Sequence, residues 1–273
     1  MNRLIKIVLI GIAALSFTAC ENNQTTNKKE VKFTPSLPMP EWDKEAKSRI
    51  DNYWSQWHDA KKDPVPAMKI GYAYSEKLHD YEKALEWYKY ADSMIPLGEN
   101  SYFACYALQK LKRYDEAISW CKKAIDLKWD KALFRMGKVL ELKKEFNKSI
   151  KYYEQSFKKN KDKVAANNLG LIFSLELKEY DKAELWFKKS IQEGYQLAYK
   201  NFSIFYHKKL KNDIKASAYA IAVIDTKYTK SSVLKLLKKT WNIPNETIKK
   251  GYELQLNSPD FPIKYKGKLD LDE

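Results

Sequence analysis

The chain has 273 residues, 44% of them hydrophobic and 31% charged, so it can bury a sizeable core and is no disordered tail. The formal charge is +15, but only Arg3, Arg49, Arg113 and Arg135 are arginines, and side chains that read phosphates and base edges bidentately are mostly arginine. Nucleic acid is therefore not an expected partner, and the surface reads as lysine-rich and solvated, with attraction to acidic partners or anionic headgroups as the sharper alternative.

The first element, "MNRLIKIVLIGIAALSFTAC", has a basic start (Arg3, Lys6) and an apolar run from Ile7 to Phe17. That run is too short to span a bilayer, so residues 1–19 are expected to be an export signal. The ending "FTAC" resembles a bacterial lipobox, with Phe17 where Leu is usual. The resemblance implies lipidation of Cys20 as the mature N-terminus, ordinary signal cleavage being the alternative. More than one acyl chain on that cysteine makes a stable anchor. Glu21 is not the Asp that marks inner-membrane retention, so the resemblance implies an outer-membrane lipoprotein facing the periplasm. Loss of residues 1–19 leaves 48 basic against 35 acidic residues. Residues 20–40 are polar, then proline-bearing, without periodicity, and read as a flexible tether.

Residues 41–65 contain a helical stripe of Ile50, Tyr53, Trp54 and Trp57, expected to form an N-terminal cap helix. From 66 to 226 the chain repeats itself. Small residues recur at Gly71, Ala104, Gly137, Gly170 and Ser203, and a second series at Ala84, Ala117, Ser149, Ala183 and Ala216. A third follows seven residues later, at Ala91, Ala124, Ser156, Ser190 and Val223. Three or four residues beyond the second series stand aromatics, among them Trp87 with Tyr88, Trp120, Tyr152 with Tyr153, Trp186 with Phe187, and Tyr219. A helical hairpin accounts for this: thin places on helices A and B let the backbones approach, and rings fill the space alongside. Asp115 and Asp181 fall where helix B starts, to cap it or meet its dipole. Cys105 and Cys121 lie sixteen apart, and an oxidising compartment permits a disulfide; the repeat register points them to different faces, so two buried small hydrophobes are expected. Residues 227–273 read as C-terminal cap helices and an extended tail. The fold expected is all-α, a right-handed solenoid of about five hairpins between two caps.

The segment "NNLGLIF…KEYDKAELWFKKSIQEGYQLAYKNFS" (167–203) resembles the Sel-type branch of tetratricopeptide-like repeats, with Trp186–Ser190 matching its helix B and Gly194 with Ala198 its joint. The hairpin spacings stay nearer the tetratricopeptide length. The resemblance covers about 66–226 and is specific for fold.

No catalytic constellation stands out. His58, His79 and His207 lie in unrelated segments, and no phosphate loop or nucleophile elbow is present, so no enzyme, metal or cofactor is expected. In stacked hairpins the A helices line the groove, at positions three before and one, four and five after the first small residue. Repeats one and two place Met68, Tyr72, Glu76, Leu108 and Gln109 there, and repeat three Phe134, Lys138 and Glu141. Repeats four and five add Asn167, Leu171, Lys200 and His207. Such a mixed strip suits a protein or peptide partner. Sel-type lipoproteins occur as immunity proteins beside type VI secretion phospholipase effectors, and the resemblance implies that role, with an envelope or secretion scaffold as the alternative.

Overall fold

A computed structural model describes residues 34–271. The expected export signal, Cys20 and the tether up to residue 33 lie outside the described residues. Five helical hairpins follow one another. They are α3 (Pro64–Ala73) with α4 (Tyr81–Met94), α5 (Gly98–Lys110) with α6 (Tyr114–Asp126), and α7 (Lys131–Leu142) with α8 (Phe146–Asn160). Then come α9 (Lys163–Leu171) with α10 (Tyr180–Gln192), and α11 (Gln196–Phe205) with α12 (Asp213–Ile221). In α3, α9 and α11 the first helix ends in a wider π turn, Tyr74–Leu78, Ile172–Glu176 and Tyr206–Leu210. Among the described residues the only β feature is an isolated bridge between Ile224 and Tyr228. The fold is an all-α repeat solenoid.

Short polar side chains set several helix starts. Asp63 accepts from the Val65 N–H ahead of Pro64 at the first helical position, Asp80 from Lys83, Asp162 from Val164 and Ala165, and Asn212 from Lys215. Asp115 and Asp181 instead lie inside the first turns of α6 and α10 without capping them, where they meet the dipole, and Asp115 also pairs with Lys143 at 2.5 Å.

The small residues do what their spacing implies. A methyl on Gly71 would sit 2.8 Å from the Tyr88 ring, on Gly137 2.7 Å from Tyr153, and on Gly170 2.7 Å from Phe187. Each A-helix glycine is thus the seat of a B-helix ring, and Tyr88, Tyr153 and Phe187 are fully buried. The second series is buried throughout, and Ser149 and Ser203 each donate a hydroxyl to a backbone carbonyl of the opposite helix, Gly137 and Ala216, at 2.7 and 2.6 Å. In the third series Ser190 donates to the Lys163 carbonyl of its own hairpin at 2.6 Å, and Ser156 reaches the next hairpin, donating to Asp162 at 2.8 Å.

Repeat two departs from this scheme, and here the expectation of two separate thiols is corrected. Cys105 and Cys121 form a disulfide with Cα atoms 5.3 Å apart. Cys121 stands four residues beyond Ala117, in the slot that Tyr88, Tyr153 and Phe187 occupy in repeats one, three and four. That slot faces helix A beside its small residue, so Cys105, next to Ala104, is within reach. Counting Trp120 as the ring of this repeat leaves Cys121 outside the slot and conceals the pairing.

The N-terminal cap is two short helices rather than one, α1 (Lys44–Arg49) and α2 (Tyr53–Asp59). Asn52 adopts the left-handed conformation (φ 54°) and breaks the stripe. Ile50 and Tyr53 turn inward and are buried, whereas Trp54 is exposed. Trp42 packs on Tyr53 and Trp57, and Tyr53 on Tyr74 of the first hairpin. Asp43 ties this cap down. It accepts from the Glu45 and Ala46 amides, from the Tyr74 hydroxyl at 2.8 Å and from Lys83 at 2.5 Å, and the Lys83 ammonium foremost holds its carboxyl down at about 2.

At the other end α13 (Lys230–Leu234, continued by a π turn to Thr240) and α14 (Asn245–Asn257) complete the stack. Gly251 of α14 lies so close to α12 that a methyl there would stand 2.6 Å from Ser217 Cβ and 2.8 Å from the Ile214 carbonyl. The tail is extended and pinned. Phe261 packs on Tyr219, the Ile263 amide donates to Tyr199, and the Leu271 carbonyl accepts from Lys238 and Asn245.

Candidate functional site

The A helices present a continuous face whose character changes along the array. In its N-terminal half the face is aromatic. Tyr72 is 48% exposed and meets Phe103 edge-on at 5.6 Å. Met68 is half-buried beside it, and Glu76 is exposed and accepts from Ser75. Arg135 lies over the Tyr106 and Tyr102 rings, 4.5 and 5.3 Å from their centroids, and donates to Gln109 Oε1 and the Tyr102 hydroxyl. Its Nε is buried without a hydrogen-bond partner. Burial, seconded by the Glu76 charge, pushes the Tyr106 hydroxyl up to about 12, so it stays a neutral donor at any physiological pH.

Further along, Lys138 pairs with Glu141 at 2.7 Å, and Glu141 accepts the Tyr153 hydroxyl at 2.6 Å. Phe134 is half-buried against the Tyr153 ring. These groups largely satisfy one another. Asn167 is buried and accepts from Asn201 at 2.9 Å, which links helices α9 and α11.

The C-terminal half is different again. Between α9 and α11 opens a cavity of about 220 Å³, lined by Leu171, Leu175, Ile204 and Phe205 with Lys208 and Lys209 at its rim. Leu175 is 52% exposed. Across α11 a second apolar cavity, about 240 Å³, is walled by Ala220 and Val223 of the last hairpin, Tyr228, and Val233 and Leu236 of the cap. Lys200 stands at its edge with its ammonium 5.8 Å from the Tyr228 ring. His207 is taken up by Asp213 at 2.7 Å and stacks on Trp241 at 4.3 Å, so it fastens the cap rather than facing a ligand.

Of the residues expected to line the groove, Tyr72, Glu76 and Lys200 are exposed. Met68, Gln109, Phe134, Lys138, Glu141, Leu171 and His207 are partly so. Leu108 and Asn167 are not groove residues: Leu108 is wholly inside the core and Asn167 nearly so. The four-after position of repeat two turns under the next hairpin, and the three-before position of repeat four packs on α11. The expectation missed Tyr102, Tyr106 and Arg135, because positions two to either side of the small residue were left out of the strip. It also missed Tyr228, Val233 and Leu236, whose contribution depends on how the cap docks. Among the described residues no group of three or more His, Cys, Asp or Glu could hold a metal ion, and no helix is long and apolar enough to cross a membrane.

The tetratricopeptide repeat family model matches residues 104–128 and 130–162, which fall on the second and third hairpins. No curated protein matches the chain in sequence. Among solved structures, PilF of Pseudomonas aeruginosa is 16% identical, with a TM-score of 0.56 over 75% of this chain and 96% of that one. YrrB, described as a TPR protein with an unusual peptide-binding site, is 20% identical, with a TM-score of 0.49 over 65% of this chain and 94% of its own. MamA is 22% identical, with a TM-score of 0.48 over 56% of this chain and 96% of its own. Hairpins closed at their thin places, a repeat model seated on the second and third of them and a fold shared with PilF make this chain a tetratricopeptide-like repeat protein, an architecture of protein–protein interaction.

Proposed function

We propose that the chain is a non-catalytic lipoprotein, anchored through Cys20 in the outer membrane and facing the periplasm, whose A-helix face binds and neutralises a phospholipase effector of a type VI secretion system. The binding part rests on one observation. Tyr72, one residue after the small position of its hairpin, and Leu142 and Leu175, each five residues after theirs, stay exposed on the A-helix face of a frame whose core is otherwise closed. Anchors of that kind, rimmed by charge, suit a protein surface. The Cys105–Cys121 disulfide supports an oxidising compartment, since such bonds persist outside the cytosol. The choice of toxin rests on the resemblance of residues 167–203 to Sel-type repeats, which lipoproteins of the immunity kind carry.

The test is direct. The chain from Glu21 onward, mixed with the lipase encoded by a neighbouring gene, is expected to form a stable complex and abolish lipid hydrolysis. Failure to capture any such lipase overturns the immunity reading and leaves an assembly scaffold. Tyr72→Ala should weaken capture about ten-fold or more without lowering the melting temperature, because the ring is half in solvent. Cys20→Ser should release the protein from membranes into the soluble periplasm; retention would refute the lipid anchor.

A further inference from the structure

The helices that carry the C-terminal half of the face, α9, α11 and α13 with their π turns, hold one carboxylate, Glu176, against eight lysines. Lys200, Lys208 and Lys209 take part in no ion pair among the described residues, apart from the distant Tyr228 ring under Lys200. The A helices of the first three hairpins are more evenly balanced, with Glu76, Glu99 and Glu141 among Lys69, Lys77, Lys110, Lys131, Arg135 and Lys138. Lys200, Lys208 and Lys209 ring the two apolar cavities described above. Unpaired cations around paired apolar hollows are a complement waiting for the opposite arrangement: apolar side chains flanked by acids.

The cavities narrow the occupant further. At about 220 and 240 Å³ each is smaller than the roughly 300–1,000 Å³ of a small-molecule site, and the two are separated by a helix instead of joining into a slot for an acyl chain. Each has the size of one side chain. They open on either side of α11, so their centres lie about one helix-packing distance apart, roughly 8–10 Å. A chain with three residues per turn and a rise of about 3.1 Å returns a side chain to the same side every ~9 Å. A β-strand would present neighbours on one face only every ~6.6 Å.

We propose that the C-terminal half of the A-helix face binds an extended acidic segment of a protein partner, with two apolar side chains three residues apart entering the α9–α11 and α11–α13 cavities and its carboxylates meeting Lys200, Lys208 and Lys209. This deepens the reading of the face as a partner-binding surface and names the chemistry of the partner there. The cavity beyond α11 is built half by the cap, so partner binding and cap docking are coupled through Tyr228, Val233 and Leu236.

The test uses the full-length protein in zwitterionic-lipid nanodiscs and fluorescent synthetic peptides read by anisotropy. A peptide with Leu at positions i and i+3 among Glu and Asp is expected to bind. Affinity should fall about ten-fold or more when either Leu becomes Ala. It should also weaken steeply as salt is raised from 0.1 to 1 M, where screening shortens from about 10 to 3 Å. The lysine counterpart of the peptide should not bind. Lys200→Glu/Lys208→Glu/Lys209→Glu should reverse the preference with an unchanged melting temperature, since all three side chains are exposed. Leu175→Asp should remove binding of the acidic peptide as well. The proposal is overturned if the acidic peptide fails to bind, if the charge-reversed variant binds it equally, or if a helical peptide with its anchors seven apart binds more tightly. Lysine-dependent binding of phosphatidylglycerol vesicles in place of peptide would equally overturn it and assign the face to a membrane. Neutralisation of the lipase is measured in parallel on the same variants. A toxin still neutralised by the triple variant, with no peptide bound, sinks this inference and spares the proposed function; peptide binding without any toxin captured does the reverse.

Discussion

Repeat two and repeat four set their thin places in the same register, Ala104 with Ala117 and Gly170 with Ala183, yet close the gap between their helices by different chemistry. In repeat four a glycine receives the Phe187 ring. In repeat two the A-helix residue is an alanine, the ring is missing, and a disulfide spans the same place. The frame therefore requires that the slot be filled and leaves open with what. The halves around them differ in the same spirit. Near repeat two the buried Asp92 takes a hydrogen bond from Ser101 at 3.0 Å and an ion pair from Lys123, stitching the first hairpin to the second. Around repeat four the A-helix face is open, hollowed and cationic. The C-terminal half has fastenings of its own, Lys188 to Asp260 at 3.3 Å and Lys230 to Asp270, but they lie off the A-helix face and leave its lysines Lys200, Lys208 and Lys209 without an ion pair among the described residues.

Breaking the staple is the strongest test of that contrast. A cross-link closing a loop of this length is worth about 3 kcal/mol in the chain-entropy account, so Cys105→Ser/Cys121→Ser should lower unfolding free energy by roughly that amount in urea titration. Reductant should act on the wild type alike and leave the double variant unmoved. Equal stability with and without the bond would show that burial of the two sulfurs suffices. In repeat four the corresponding change is Gly170→Ala, which drives a methyl to within 2.7–2.9 Å of three Phe187 ring atoms. The ring is fully buried and has nowhere to go, so a loss of about 2 kcal/mol is expected. Gly137→Ala, against Tyr153, should cost a similar amount. Ala104→Gly in repeat two finds no ring to admit and should only lose helix propensity, about 1 kcal/mol.

These positions also show what could be read from the sequence and what could not. The thin-place registers and the rings over them follow from spacing alone, because a helical hairpin admits few solutions to the same pattern of small and large residues. The disulfide was legible in principle: Cys121 stands four residues beyond Ala117, in the ring slot, which faces the A helix close to Ala104 and so to its neighbour Cys105. Reading Trp120 as the ring hid it. The candidate site was legible only for side chains on a single helix, such as Tyr72 and Lys200. The second cavity needs Tyr228, Val233 and Leu236, which the chain brings to α11 by a turn that no periodicity announces. Leu108 and Asn167 failed for a related reason, since the next hairpin, rather than their own register, decides whether they are covered.

Acid should find the N-terminal half first. Asp43 is only 16% exposed and is held near 2, against an ordinary 3.8, mainly by the hydrogen bond from Lys83. Its folded value is the lower one, so its contribution is fully present above pH 4 and disappears as pH falls towards 2. The amount is on the order of 1–2 kcal/mol. On acidification the amides of α1 and α2 should lose hydrogen-exchange protection before those of α10 and α12. Asp43→Asn should start from the weakened state and show no such pH step. Equal protection of both halves down to pH 2 would mean that the aromatic packing of Trp42, Tyr53 and Tyr74 holds the cap unaided.

The smallest effect concerns the turns, where the halves differ by a single residue type. Left-handed backbone is required at every crossing from helix A to helix B, and this chain supplies it with His79, Lys112, Lys144, Lys178 and Lys211 (φ 53–62°). Two crossings from B back to A use Lys128 and Lys161, but the joint between repeats four and five uses Gly194 at φ 77°. A side chain in that region costs about 1–2 kcal/mol, while glycine gives back roughly 0.5–1 kcal/mol in chain entropy. Lys144→Gly should therefore stabilise by up to about 1 kcal/mol, and Gly194→Ala should destabilise by about as much. A methyl on Gly194 meets nothing within 4 Å, so packing has no share in the second change. If Gly194→Ala proves neutral, the left-handed cost is absorbed by the turn itself. The seven non-glycine residues at the other crossings would then be unstrained, and the scarcity of glycine in this sequence would carry no stability penalty at all.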